Sequence, residues 1–340
     1  MTAISNKILI LLFSLLLLGQ LTLQVFDVEI YENTTEYRKK PKFPDFKMEW
    51  DYIKEFEDFY QNNFKLRNIL IHANAMLRFR LFQISSSEKV IVGKNGWLFY
   101  EDDKTNNTYR NVAPYTSEQL EEKFKFHEKR AQELAKKGIP YVFFVGPNKQ
   151  SIYPEFLPDW AQEKLSPISR YDQLMEKIKT SKYILSIDSK KLLLDLKTKQ
   201  QLYYKTDSHW NIYAGYHIYH AVMKKLYEKT KNELYLPTSF ETYKIQPTKD
   251  IFPGDLLRMM DLPGWIPETG NFDFVRPIFP EKKLRFTLFH DSFYISLRLF
   301  FEFQYDLKNE AHWVEEKNAD WNKISNESDF VIYEQVERNL

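Results

Sequence analysis

Ile139-Pro140-Tyr141-Val142-Phe143-Phe144-Val145 is an almost unbroken apolar run, and the pattern around it decides the fold. A strand that shows both faces to a packed core has no polar alternation, so the run suits the centre of a parallel sheet. Just upstream, Thr116 and Gln119 have capping-box spacing, and Leu120, Phe124, Ala131 and Leu134 give one apolar helical face that ends at Gly138. The alternation then repeats. Tyr171 to Lys179 reads as helix, Tyr183 to Ile187 as a strand ending at Asp188, and Lys190 to Lys197 as helix again. Helix and strand in turn predict an α/β fold, a parallel sheet covered by helices on both faces.

Working outward, Val90-Ile91-Val92, the turn Gly93-Lys94-Asn95-Gly96 and Trp97-Leu98-Phe99-Tyr100 spell a hairpin. From Trp50 to Phe82 the apolar residues recur mostly at spacings of three and four, which predicts helix. Beyond the second strand of the alternation, Tyr213 to Tyr227 reads as helix. Residues 231–283 are rich in proline with little periodicity and read as a long loop insertion. Leu284 to Phe289 is the next buried strand, Phe293 to Phe303 begins as helix, and Asp329 to Glu334 is a last strand running into a short helix.

The amino-terminal part differs. Ile8 to Phe26 holds no charged residue, and as a helix this run spans roughly 28 Å, near the hydrocarbon thickness of a bilayer. A cleaved signal peptide competes, but the segment after Leu18 stays apolar and lacks a clear small-x-small site, which favours an uncleaved anchor. Lys7 favours a cytoplasmic amino terminus, whereas Arg38, Lys39, Lys40 and Lys42 lie on the far side. The organisation expected is a signal-anchor helix over 1–27, a tether over 28–49 and a catalytic domain over 50–340 on the extracytoplasmic side, in the periplasm or at the cell surface. The 340 residues carry 48 basic and 47 acidic side chains, a formal net charge of +1. That balance lacks the electrostatic footprint of a nucleic-acid partner. With no cysteine, disulfides, thiolate metal sites and thiol nucleophiles are excluded.

The chemistry sits in Tyr203-Tyr204-Lys205-Thr206-Asp207-Ser208-His209-Trp210-Asn211. Asp207 and His209 are two apart, and an extended backbone would put both on one face with Cα atoms about 7 Å apart. A carboxylate beside an imidazole is the base half of a nucleophilic triad. The strand 284–289, followed by His290-Asp291-Ser292-Phe293, supplies a serine for the other half. A serine hydroxyl must lose its proton as the new bond forms, and a hydrogen-bonded imidazole takes it. The catalytic candidates are therefore Ser292, His209 and Asp207. Candidate substrate-binding residues are Lys149, Trp210, Asn211 and His290, each with a structural alternative. Lys149 could hold an anionic glycan or form an ion pair; Trp210 could be core; Asn211 could cap a helix; His290 could pack under the sheet. Asp291 suits the cap of a strand-to-helix turn. His217 and His220, three apart on a helix, invite a zinc reading with His209, but no acidic ligand stands at helical spacing with them, and no metal is expected.

Five blocks occur in one order: Gly93–Tyr100, Pro147-Asn148-Lys149 with Tyr153-Pro154-Glu155, Thr206–Asn211, Gly254-Asp255-Leu256 and Asp291-Ser292-Phe293. Together with Asp329–Glu334 and Glu337-Arg338 they resemble the SGNH-hydrolase-like polysaccharide O-acetyltransferases of the alginate AlgJ and AlgX type, from about residue 50 to the end. The resemblance implies an extracytoplasmic enzyme that moves an acetyl group to glycan hydroxyls. It also implies no bound cofactor, a donor supplied indirectly from acetyl-CoA, and a membrane-bound O-acyltransferase partner. That family places its Asp-x-His block before the serine, as here. His290 stands where the usual pattern has glycine, and the oxyanion-hole residues are not assignable from the sequence. A glycan O-acetyl esterase with the same triad, or an inert glycan-binding scaffold of an export complex, are the alternatives.

Overall fold

The structure, a computed structural model, describes residues 3–26, 28, 41–247, 254–262, 272–273 and 284–340. It falls into two compact units, residues 1–87 with 258–262, and residues 88–257 with 263–340.

The first unit holds α1 (Ala3–Val25), α2 (Trp50–Asn63) and α3 (Arg67–Phe82). Within α1, Asn6–Gln24 is long and apolar enough to cross a membrane, a test that a signal sequence also passes. The helical pattern over 50–82 is two helices rather than one. The chain leaves helical geometry at Phe64, and Asn63 turns its amide onto Phe59 O at 2.9 Å and Pro41 O at 3.1 Å. Asparagine competes for backbone groups in this way, which weakens a helix interior. Both helices, which the sequence reading groups with the catalytic part, belong to this unit. Most of the expected tether, residues 29–40, lies outside the described residues.

The second unit is the α/β body. It opens with the hairpin β1 (Val90–Val92) and β2 (Leu98–Tyr100), antiparallel as the Gly93–Gly96 turn predicts. After α4 (Asp103–Arg110) comes α5 (Ser117–Ala135), capped by Thr116 with both halves of the capping box formed. β3 (Tyr141–Gly146) follows, then a single turn α6 (Lys149–Ile152), α7 (Arg170–Ile178), β4 (Ile184–Ile187), α8 (Ser189–Leu196) and α9 (Ile212–Thr230). The expected loop 231–283 lies partly outside the described residues. Its described parts contain the two-residue strands β5 (Gln246–Pro247) and β6 (Phe272–Asp273), and α10 (Asp255–Met259). The chain closes with β7 (Arg285–His290), α11 (Ile295–Glu302), β8 (Asp306–His312), α12 (Trp321–Glu327) and β9 (Phe330–Val336).

Strands β4, β3, β9, β7 and β8 form one sheet in that order, every pair parallel. Alternate residues of each inner strand feed opposite cores. Val142 and Phe144 of β3 join Phe286, Leu288, Phe330 and Ile332 on one face, packed by α9 and α11. Tyr141, Phe143 and Val145 join Val331 and Tyr333 on the other, packed by α5 and α7. That two-sided burial is the cause of the apolar runs in the sequence. The sequence reading does not contain β8. Asp306-Leu307-Lys308-Asn309-Glu310-Ala311-His312 sits at the sheet edge with mostly polar side chains, the composition by which an edge strand blunts pairing with other chains. The carboxyl ends of β3, β7 and β9 converge, and ligands of open α/β sheets bind outside such ends.

Candidate active site

Loop 202–211 is not an extended strand. It is a closed bend, tied by Asn211 N donating to Leu202 O at 2.8 Å and by a bridge between Tyr203 and Trp210. The expected pairing is made by other means. Asp207 accepts the His209 main-chain N–H at 2.9 Å and the ring Nδ1 at 2.7 Å on one oxygen, Oδ1. A turn that folds the carboxylate back onto the backbone two residues on achieves what strand geometry cannot.

Ser292 lies at the end of β7. Asp291 caps the turn that follows it, its Oδ1 accepting Phe293 N at 3.1 Å and its Oδ2 accepting Val336 N at 2.8 Å. Phe293 and Tyr294 are buried while Ser292 is exposed, so the packing of its neighbours presents the hydroxyl outward. His209 Nε2 stands 2.9 Å from Ser292 Oγ. Asp207, His209 and Ser292 thus form one continuous hydrogen-bonded row. Two contacts hold its halves together: Trp210 Nε1 donates to Phe293 O at 2.7 Å, and Ser296 Oγ donates to Trp210 O at 3.0 Å. Behind them α9 approaches α11 so closely that a side chain at Gly215 would meet Ser296 O at 2.2 Å.

The remaining candidates have structural partners. Lys149 is 2% exposed, and its ammonium donates to Leu98 O at 2.5 Å, Lys205 O at 2.8 Å and Asp207 O at 2.9 Å. It pins the hairpin and the Asp-His loop to the end of β3 rather than facing outward. Trp210 is fully buried. Asn211 caps α9, accepting Tyr213 N at 3.1 Å and Ala214 N at 3.3 Å, and donates to Gln201 O at 2.7 Å. His290 pairs with Glu310 Oε1 at 2.8 Å on neighbouring β8. His217 and His220 both lie on α9, where burial depresses their basicity.

Sequence reasoning gave no role to Asp255. Its main-chain N–H donates to Asp207 Oδ2 at 3.0 Å, while its carboxylate accepts Ser208 N at 2.7 Å and Ser208 Oγ at 2.5 Å. The approach leaves no room for a side chain at Gly254, which would meet Thr206 O at 2.1 Å. The Gly254-Asp255 pair was the available signal, but its partner is 47 residues away. Asp255 Oδ2 is also 3.8 Å from His209 Nδ1, so two carboxylates flank one imidazole. Burial would lower the pKa of His209, but the hydrogen bond and charge of Asp207, helped by Asp255, outweigh it and hold it above the usual value. Burial pushes Asp207 up, yet the His209 hydrogen bond and charge and two main-chain N–H groups bring it below the ordinary carboxylate range. Asp255, with burial and the Asp207 charge against it, is raised. Asp207, His209 and Asp255 offer donor atoms within 4.8 Å of one another, a set able to hold a cation. Hydrogen bonds already engage both imidazole nitrogens and both Asp255 oxygens, an arrangement suited to moving a proton between His209 and Ser292.

A five-stranded parallel sheet with an Asp-x-His loop and a serine gathered at its carboxyl edge is a fold of the SGNH-hydrolase kind. Residues 90–291, more than half of the chain, match the family described as SGNH hydrolase-like domain, acetyltransferase AlgX, and the chain belongs to that family. The match stops one residue before Ser292. A curated relative, the probable alginate O-acetylase AlgJ of Pseudomonas aeruginosa, is 27% identical over 159 residues, covering 46% of this chain and 37% of that protein. The chain therefore matches little more than a third of that relative's length. Among solved structures, Bacillus cereus PatB1 with a sulfonyl adduct aligns at a TM-score of 0.51 and 12% identity, over 76% of this chain and 97% of that one. The O-acetyltransferase domain of Pseudomonas putida AlgJ aligns at 0.48 and 17%, over 73% and 91%. At 12% identity the likeness to PatB1 concerns the fold alone.

Proposed function

We propose that this chain is an extracytoplasmic polysaccharide O-acetyltransferase that carries the acetyl group on Ser292. The observation that carries the reading is the row Asp207 Oδ1 to His209 Nδ1 at 2.7 Å and His209 Nε2 to Ser292 Oγ at 2.9 Å. Ser292 Oγ attacks the acetyl carbonyl of the donor as Nε2 takes the hydroxyl proton. Asp207 fixes the tautomer with the proton on Nδ1 and stabilises the imidazolium. The imidazolium then protonates the departing donor group, leaving an acetyl ester on Ser292. A glycan hydroxyl gives its proton to Nε2, its oxygen attacks that ester, and Ser292 leaves with the proton returned. Water in place of the sugar hydroxyl gives hydrolysis with the same residues, so occupancy of the acceptor position separates transferase from esterase.

Membership of the acetyltransferase family supports the choice of acetyl transfer. Helix α1 would hold the enzyme at the membrane beside a membrane-bound O-acyltransferase that hands acetyl groups across from acetyl-CoA. The test is intact-protein mass spectrometry after brief exposure to an activated acetyl ester. An adduct of about 42 Da on the peptide holding Ser292, absent from Ser292→Ala, is the expected result. No adduct, with Ser292→Ala indistinguishable from the parent in cells, would leave an inert scaffold. Added glycan then decides the rest: acetyl on the sugar supports transfer, and free acetate alone means an esterase.

A further inference from the structure

The first unit carries a surface that the described residues leave open. Trp50, Ile53, Phe56 and Tyr60 recur along α2 at spacings of three, three and four, which gathers them on one side of the helix, while Asp51, Lys54, Glu55 and Asp58 fall on the other. An amphipathic helix of a globular fold turns its apolar side to a core, yet α2 has no buried residue. The segment ahead of it extends the same surface. Phe43 sets its ring against Phe56 and Phe59, and Phe46 against Tyr52, while Phe46, Met48 and Trp50 stand 79%, 97% and 82% exposed. A contiguous exposed apolar patch of this kind marks an interaction site.

The position of α2 says what covers it. Leu66, in the turn between α2 and α3, donates its main-chain N–H to Gln20 Oε1 at 3.1 Å, and Gln20 is buried. Gln20 is four residues short of the end of the apolar stretch Asn6–Gln24, about 6 Å along the helix axis. With α1 as the membrane span, that turn sits at the rim of the hydrocarbon layer, and α2 departs from the level of the headgroups. Tryptophan and tyrosine collect at that level, where an apolar ring and a polar edge are both accommodated. Glu57 interrupts the apolar side beside Trp50 and Ile53 and accepts Gln61 Nε2 at 2.9 Å. A carboxylate is costly inside hydrocarbon and tolerated among headgroups, so the surface suits a membrane interface rather than the bilayer interior.

We propose that this aromatic side of α2, with Phe46 ahead of it, lies in the headgroup region of the extracytoplasmic leaflet. The ligand is the phospholipid surface itself. The contact rests on the reading of α1 as an uncleaved anchor, and it adds to that single crossing a second attachment that keeps the first unit against the membrane.

The test uses the lack of native cysteine, which lets one reporter be placed at a time. The full chain carrying Trp50→Cys, Ile53→Cys, Asp51→Cys or Asp58→Cys, each labelled with a nitrobenzoxadiazole dye, is reconstituted in phosphatidylcholine nanodiscs. Quenching is read with aqueous iodide and with lipids spin-labelled near the headgroup or at the chain end. Dyes at the Trp50 and Ile53 positions should be at least about threefold less accessible to iodide than those at Asp51 and Asp58, and quenched most by the label near the headgroup. Equal access at all four positions overturns the proposal, as does shielding from iodide without spin-label quenching, which means that protein covers the face. Strongest quenching by the chain-end label overturns it too, since α2 then lies within the hydrocarbon. Trp50→Phe, which keeps an aromatic ring, guards against misfolding of the cysteine variants. Brominated phosphatidylcholine should quench a part of the parent's tryptophan emission that this variant lacks, and identical quenching in the two counts against the contact. A dye at Leu15→Cys scores the anchor separately. If it is quenched by the chain-end label while Trp50 and Ile53 stay open, the anchor stands and this proposal alone fails; if it is not quenched, the anchor fails and takes the proposal with it. None of these signals depends on acetyl transfer at Ser292.

Discussion

Two clusters of acids, one half-buried and one buried, lie at the carboxyl edge of the same sheet, and they have opposite characters. In the Asp207–Asp255 cluster an imidazole stands between the carboxylates, and Asp207 is held ionised. In the other, Glu334 on β9 is 0% exposed, and the nearby Asp291 and burial outweigh the pull of the Arg338 charge. Its Oε2 accepts Asp291 N at 3.0 Å, and burial together with the Asp291 charge raises its pKa far above the usual carboxylate range. Glu337 likewise accepts a main-chain N–H, that of Asn148, at 2.8 Å. The contrast teaches that the pKa of a carboxyl follows the balance between burial and the charges and hydrogen-bond donors that face it. The first cluster holds the imidazole in the hydrogen-bonded row that ends at Ser292. Glu334, whose charged form burial disfavours, is a hydrogen-bonding post under the turn that presents Ser292.

The largest effect should follow from breaking the ionised cluster. Ser292→Ala and His209→Gln should each lower acetyl-ester turnover on the order of 10³-fold or more, and Asp207→Asn by less, measured by acetate release at fixed pH. Parent-like turnover in either of the first two would remove the proton relay. Next comes the support beneath it. Lys149→Met removes the ammonium donor from three main-chain oxygens, of which Lys205 O keeps the Leu98 N–H, and should cost about 3 kcal/mol in urea unfolding.

The neutral cluster gives a sharper test by pairing two variants. Glu334→Gln preserves a neutral hydrogen-bonding group and should cost under about 1 kcal/mol, whereas Glu334→Ala strands the Asp291 N–H and should cost about 2 kcal/mol or more. A glutamine variant as unstable as the alanine variant would mean that Glu334 is charged, and the two clusters would then not differ.

The smallest effect expected is a displacement in pH. Acylation needs neutral His209, so the rate should rise with pH through a midpoint above about 6.5, the ordinary histidine value. The stability that protonated His209 contributes has the opposite course: it is complete below the unfolded-state value and fades as pH climbs through the raised folded one. Asp255→Asn should move the kinetic midpoint down, by less than Asp207→Asn does, because Asp207 supplies the hydrogen bond and the larger charge effect. A larger displacement from Asp255→Asn would exchange their roles.

The sheet was legible because its inner strands are buried on both sides, and burial of that kind leaves apolar runs in any chain that adopts it. The edge strand Asp306–His312 left no such run, since half of its environment is water. The residues that form the hydrogen-bonded row, Asp207, His209 and Ser292, were legible from their order, and the caps at Thr116 and Asp291 from their positions at element starts; Asn211, a candidate for substrate, turned out to be the cap that was its alternative. The fate of Lys149 was not legible. A lysine beside a glycan and a lysine locked onto carbonyls look alike until the carbonyls, 51 to 58 residues away in the chain, are in place. Asp255 was hidden for the same reason.

By itself the sequence determined the alternation of helix and parallel strand and the helix caps, because periodicity and local capping are properties of neighbours along the chain. Only the tertiary structure decided that His209 meets Ser292 across 83 residues, and that burial and neighbours pull the pKa of Asp207 down and push that of Glu334 up. Contacts and dielectric environment depend on which distant segments the strand order sets side by side, and no local pattern records that.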